Sequence, residues 1–303
     1  MKKSIILSLI LAFCSQVGYA GLFGSNECRN LETYSSKASA QKILDEHLIV
    51  LHASTRSISE PILMNYLNRF FREMCKMPKD HRRVLKDHNL EIHLLVGSIA
   101  QHPRIQQLMR ENVNPRGHSK NWNELPGVGG TAGANDPAGA SPAIFNIASL
   151  DEGHGSLNLV LHELAHSFDH FKNRNDSSRN LVSSSRGFNR IMTLTPWENI
   201  YLTGHYVQPP ERPVLDLSSF QHMDPETRVA YESGARSAFQ GELNAWQTSV
   251  QNVMRNARID LSYHQNEPEE NFAELYSHYY HSQESKQNLR RVFPEAYRYF
   301  SNL

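Results

Sequence analysis

Outside its first twenty residues the chain has no apolar run approaching the length needed to cross a bilayer, which excludes a transmembrane helix elsewhere. A charge excess is missing as well: Lys plus Arg and Asp plus Glu both number 31, so nothing resembles the basic stripe with which a nucleic-acid binder meets phosphates. Internal repeats and low-complexity tracts are absent. A phosphate cradle is also lacking, because Gly127, Gly129 and Gly130 crowd together but no Lys-Ser/Thr pair follows them and no helix begins there. Cysteine is scarce, with only Cys14, Cys28 and Cys75.

The one long apolar stretch sits at the start. Lys2 and Lys3 precede an apolar core from 5 to 13 and a small-residue exit at Ala20, the pattern of a cleaved secretory signal. Residues 1–20 are therefore expected to leave, giving an exported product, secreted or periplasmic, with 29 basic against 31 acidic residues. Phe13 before Cys14 fits lipoprotein processing poorly, so lipid attachment is not expected. Cys28 and Cys75 remain, and in an oxidising compartment they are expected to pair, closing a loop of about fifty residues for roughly 4 kcal/mol. Two separate buried thiols are the alternative.

Residues 21–60 read as an N-terminal extension with a helical period over 43–51, and 61–303 as one large domain. Ile62, Leu63, Tyr66, Leu67, Phe70 and Phe71 recur at helical spacing, with a stop expected near Pro78. Leu90, Ile92, Leu94 and Val96 alternate as in a strand. Residues 115–141 are rich in Gly, Pro and Asn and read as loop, and 142–148 as a short strand at a sheet edge. An inserted helical subdomain is expected over about 172–262, then a second strong helix over 269–280 and a terminal helix opened by Pro294. The class is α+β, with a small mixed sheet packed on helices.

The chain is organised around H-E-x-x-H: His162, Glu163 and His166. Residues four apart lie one turn apart on a helix face, so two imidazoles can hold one metal ion with Glu163 beside it. Val160, Leu161, Leu164, Ala165 and Phe168 gather on the other face, and Ser156 offers an N-cap. Sixteen histidines make accidental spacings easier, so the helical context carries the weight. A catalytic zinc needs a third protein ligand and an open position. His170 shares the face but stands another turn away, which suits a place behind the ligands or at the surface. Glu269, Glu270 and Glu274 open the later helix, and geometry alone does not choose among them. An acidic first turn favoured by the helix dipole is the plain reading for Glu267 and Glu269.

Three separated blocks carry a resemblance: Trp122 with L-P-G-V-G-G at 125–130, G-H-G-S-L-N-L-V-L-H-E-L-A-H at 153–166, and P-E-E-N-F-A-E at 268–274. Over about 62–170 and 261–303 the chain resembles the zincin-type catalytic domain of anthrax lethal factor and its relatives, in particular the secreted Pro-Pro endopeptidases. The resemblance implies one Zn2+ on His162, His166 and Glu270, a gluzincin-like set, with Glu163 as general base and Tyr263 as oxyanion donor. Glu269, Glu274 and Trp122 would stand behind the ligands or beside the substrate. The implied activity is endopeptidase cleavage of protein or peptide substrates, with a preference for proline-containing ones. Two departures stand out: Ala165 occupies a place usually held by glycine, and the distance from His166 to Glu270 is much longer than in the compact endopeptidases. A zinc aminopeptidase on the same site and a catalytically silent zinc-binding module are the rival readings. A third gives the insertion an adhesion or inhibitor-binding role of its own. An extended substrate is expected to pair along the strand near Phe145.

Overall fold

The computed structural model describes residues 34–115, 121–130, 141–151, 155–172, 181–193, 201–202, 205–206, 223–256, 259 and 268–303. Residues 1–20, the expected signal with Cys14 among them, lie outside these residues, as do Cys28 and Tyr263. Along the chain run α1 (Lys37–Glu46), β1 (Ile49–Leu51), the short α2 (Ala53–Arg56), α3 (Glu60–Met74), α4 (Lys79–Asp87) and β2 (Ile92–Leu95). There follow α5 (Pro103–Arg110), β3 (Gly127–Val128), β4 (Ala143–Asn146), α6 (Leu159–Lys172), α7 (Arg186–Thr193) and the β5–β6 hairpin (Tyr201–Leu202 and His205–Tyr206). The rest is helical: α8 (Pro225–Asn256), α9 (Pro268–His281), α10 (Gln283–Val292) and α11 (Pro294–Ser301). This is an α+β arrangement, mostly helical with a small mixed sheet, and among the described residues no helix is long and apolar enough to cross a membrane.

The main sheet has the order β1-β2-β4-β3, parallel from β1 to β4 with β3 antiparallel to β4. Two expectations change here. β4 lies between β2 and β3 with Phe145 fully buried, so it is an inner strand, and among the described residues the edges are β1 and β3. A short apolar run shows that a strand is buried, not which strands flank it. The helical period over 43–51 is broken by Leu48, whose φ of 52° stops α1 and releases Leu51 and the β-branched Ile49 and Val50 into β1. Residues 49–51 thus join the sheet, and α1 places Ala40, Ile43 and Leu44 in the core.

At the centre lies α6, packed on α9 along its length and touching α3, α4, β3 and β4. Leu159, Val160, Leu161, Leu164, Ala165, Phe168 and Phe171 are buried, each large apolar side chain contributing about 1.5–3 kcal/mol relative to exposure. From α9, Phe272, Leu275 and Tyr276 meet them; the Phe168 and Tyr276 rings stand 5.9 Å apart. Trp122 belongs to a separate apolar cluster with Leu95, Ile99, Ile105, Leu108 and Ile144, its indole N–H donating to the Val113 carbonyl at 2.9 Å. Between α6 and α9 the described residues include α7 and α8 but also the β5–β6 hairpin, which a purely helical insertion would not contain. Trp246 from α8 is buried in the main core. Cys75 is disulfide-bonded and closes α3.

Candidate metal centre

α6 holds its histidines because nothing interrupts it: residues 159–172 contain neither Gly nor Pro. Its first turn is capped by Asn158, whose Oδ1 accepts the Leu161 N–H at 2.9 Å, while Ser156 Oγ accepts the Asn158 N–H at 3.3 Å. The capping residue is therefore Asn158, with Ser156 one step behind it. Asn158 Nδ2 donates to Glu73 and approaches His281 Nδ1 at 3.1 Å, tying the start of α6 to α3 and α9. α9 opens with Pro268, and Glu269 and Glu270 occupy its first turn, where the dipole favours acids.

These two helices bring three ligand atoms together. His162 Nε2 and His166 Nε2 are 3.2 Å apart, Glu270 Oε2 is 3.2 Å from the first and 3.4 Å from the second, and the side chains are almost wholly buried. For a tetrahedral ion with bonds of about 2.0–2.2 Å, neighbouring ligand atoms stand about 3.3–3.6 Å apart, so the triangle fits a zinc-sized ion. Glu274 backs it: Oε2 lies 3.4 Å from His162 Nδ1, an ion pair rather than a well-aligned hydrogen bond, and Oε1 is 3.0 Å from His278 Nε2. A carboxylate on the far nitrogen of a ligating histidine fixes its tautomer and ring plane.

Charge makes the same point. Burial works against protonation of His162, but the Glu270 and Glu274 carboxylates outweigh it and push the imidazole up to about 10. Burial raises Glu270 and Glu274, yet the facing histidines hold both well below the usual carboxylate range. The pocket draws in positive charge, and a divalent cation on His162, His166 and Glu270 meets that demand as a proton does.

Glu163 is buried beside the two imidazoles, and its Oε2 accepts the Gly129 N–H at 2.6 Å. The glycine stretch that fails as a phosphate cradle has its use here. A Cβ on Gly129 would come within 2.5 Å of the Glu163 carbonyl oxygen and 2.9 Å of His166 Cβ; one on Gly130 would meet the Ser141 carbonyl at 2.7 Å. Glycine lets the backbone lie directly on α6, where the Gly130 N–H also donates to Ser167 Oγ at 2.8 Å. Three glycines within four residues, one strand ahead of an H-E-x-x-H helix, carry that signal in the sequence.

Of the other candidate residues, His170 lies a turn beyond the converging trio, its ring edge-on to Phe171 at 5.2 Å. Glu269 is half-buried and its charge acts on Asp169. Trp122 packs away from the trio, and Tyr263 is outside the described residues. Sequence reasoning overlooked Asp169, a buried carboxylate on α6 that accepts both the N–H and the hydroxyl of Ser183 at 2.6 Å and so fixes the base of the segment after α6.

A small mixed sheet packed against an H-E-x-x-H helix, with a glutamate delivered from a second helix, is an α+β frame around a candidate metal centre. The chain belongs to the family described as anthrax toxin lethal factor, N- and C-terminal domain, which matches residues 37–206. Among individual relatives, a Pro-Pro endopeptidase of Clostridioides difficile (strain 630) is 29% identical over 109 residues, 35% of this chain and 45% of that protein's length. The match thus spans less than half of that relative. The structure of a Pro-Pro endopeptidase from Paenibacillus alvei shares the fold, with a TM-score of 0.50 at 20% identity, covering 86% of this chain and 98% of the other.

Proposed function

We propose that the protein is an exported zinc-dependent endopeptidase in which His162, His166 and Glu270 hold the metal and Glu163 is the general base. The observation that carries this reading is the convergence of two imidazole nitrogens and one carboxylate oxygen within 3.2–3.4 Å, with Glu163 beside them. Zinc bound there supplies Lewis-acid activation of a water and of the scissile carbonyl.

The protein's own groups do the rest. Glu163 takes a proton from the attacking water and returns it to the leaving amine, and the Gly129 N–H on Oε2 keeps its carboxylate in one orientation for both transfers. Glu274 holds His162 through Nδ1. Tyr263, by the family resemblance, donates a hydrogen bond to the developing oxyanion. An extended substrate pairs along β3, an edge strand that runs directly into Gly129 and so delivers a peptide carbonyl to Glu163; the inner strand β4 is closed to such pairing. The two Pro-Pro endopeptidases among the relatives support a preference for proline-containing substrates. An unbiased peptide library tests the activity. Internal cuts, abolished by chelation and restored by Zn2+, are expected, with proline enriched about the cleaved bond; products trimmed from one end would make the enzyme an aminopeptidase instead.

A further inference from the structure

A second convergence of histidines lies at the opposite edge of the sheet, away from β3. His52 follows β1 directly, His93 sits in β2 and His102 is the N-cap of α5. One ligand nitrogen from each lies within 4.8 Å of the other two. His93 Nδ1 and His102 Nε2 face each other at 2.8 Å, and the His52 ring stands 4.8 Å from that of His102 and 5.9 Å from that of His93, centroid to centroid. We propose that His52, His93 and His102 form a second metal site, taking a divalent ion of the zinc, copper or nickel kind, which favours imidazole ligands.

Hydrogen bonding fixes the tautomers. The Arg104 N–H donates to His102 Nδ1 at 3.1 Å, so the ring proton is on Nε2 and is donated to His93 Nδ1. The His93 proton is then on Nε2, 2.9 Å from the Glu91 carboxylate. His93 is thus already arranged as a ligand, its lone pair aimed into the cluster and its N–H on a carboxylate, the usual partner of a metal-bound histidine. Among the described residues the His52 ring makes no hydrogen bond, so it can turn inward at little cost, whereas its backbone is pinned by the bond from its N–H to the Leu94 carbonyl at 2.9 Å. Binding through His102 moves the ring proton from Nε2 to Nδ1, and the Arg104 N–H, in the first turn of a helix, turns to water. No net proton is released. Burial, then the neighbouring imidazoles, lowers His52 and takes His102 down to about 4, so both are neutral and able to bind a cation at neutral pH. A bound ion ties the end of an edge strand, its neighbour and the start of α5 together.

The test separates this site from the first. Zn2+ titration of the chelator-stripped full chain carrying His162→Ala and His166→Ala is expected to show one zinc equivalent still bound. Adding His93→Ala or the partly exposed His52→Ala should weaken that binding by more than about 10-fold, the cost of losing even an outer partner of a zinc ligand. In the otherwise wild-type chain, where the first site is intact, His52→Ala should lower bound zinc by one equivalent. No zinc in the double variant together with a single equivalent in the wild type would overturn the proposal, as would zinc binding indifferent to His52→Ala and His93→Ala.

Discussion

At the residue scale, two buried carboxylates make distinct predictions. Glu274 touches no substrate in this account and acts by holding His162. Glu274→Ala should therefore leave a folded chain whose zinc affinity falls about 10- to 100-fold, measured by competition with a chelator; unchanged affinity would detach Glu274 from the site. Asp169 is different. Burial raises its carboxyl to about 6 against the lowering effect of the Ser183 hydrogen bonds, so between roughly pH 4 and 6 the folded chain binds more proton than the unfolded one. Its contribution is most favourable below the unfolded value and is lost as pH rises through about 6. Denaturant titrations should show the wild-type minus Asp169→Asn stability difference shrinking over that window, and a difference growing with pH would reverse the sign.

At the scale of elements, the meeting of α6 with the glycine loop decides the site's order. Gly129→Ala forces a methyl group onto the Glu163 carbonyl and His166 Cβ, both on the buried stretch of α6. The melting temperature and zinc affinity should fall together, while alanine at Gly155, which has open space despite its φ of 81°, should leave zinc affinity unchanged and cost only local backbone strain. Loss of zinc affinity of equal size at both positions would show that general destabilisation is responsible. Much of this level is legible in the sequence. The periodicity gives α3, α6 and α9 nearly to their ends, and alternation gives β2, because local burial patterns are written residue by residue. The inner position of β4 and the closeness of Gly129 to α6 are not written that way; both depend on elements far apart in the chain. The break at Leu48 was hidden because apolar residues over 43–51 suit a helix and a strand equally.

At the scale of the whole molecule, the site is assembled from two stretches about a hundred residues apart, His162 to His166 on α6 and Glu270 to Glu274 on α9. Their packing against each other, not their spacing in sequence, selects Glu270 from three neighbouring acids: Glu270 meets both imidazoles, Glu274 meets the back of one, and Glu269 faces the charge of Asp169. The intervening segment enters the core through Trp246 and through Phe188, whose ring meets that of Phe272 on α9 at 5.4 Å, while α8 leaves Val229 and Tyr231 exposed. The most direct test is zinc content and cleavage rate measured together on the wild type, Glu163→Gln and Glu270→Ala. Glu163→Gln should keep the wild-type zinc content and lose turnover by about 10²-fold or more, while Glu270→Ala should lose one zinc equivalent and turnover with it. Full turnover in Glu163→Gln, or undiminished zinc in Glu270→Ala, would contradict the account.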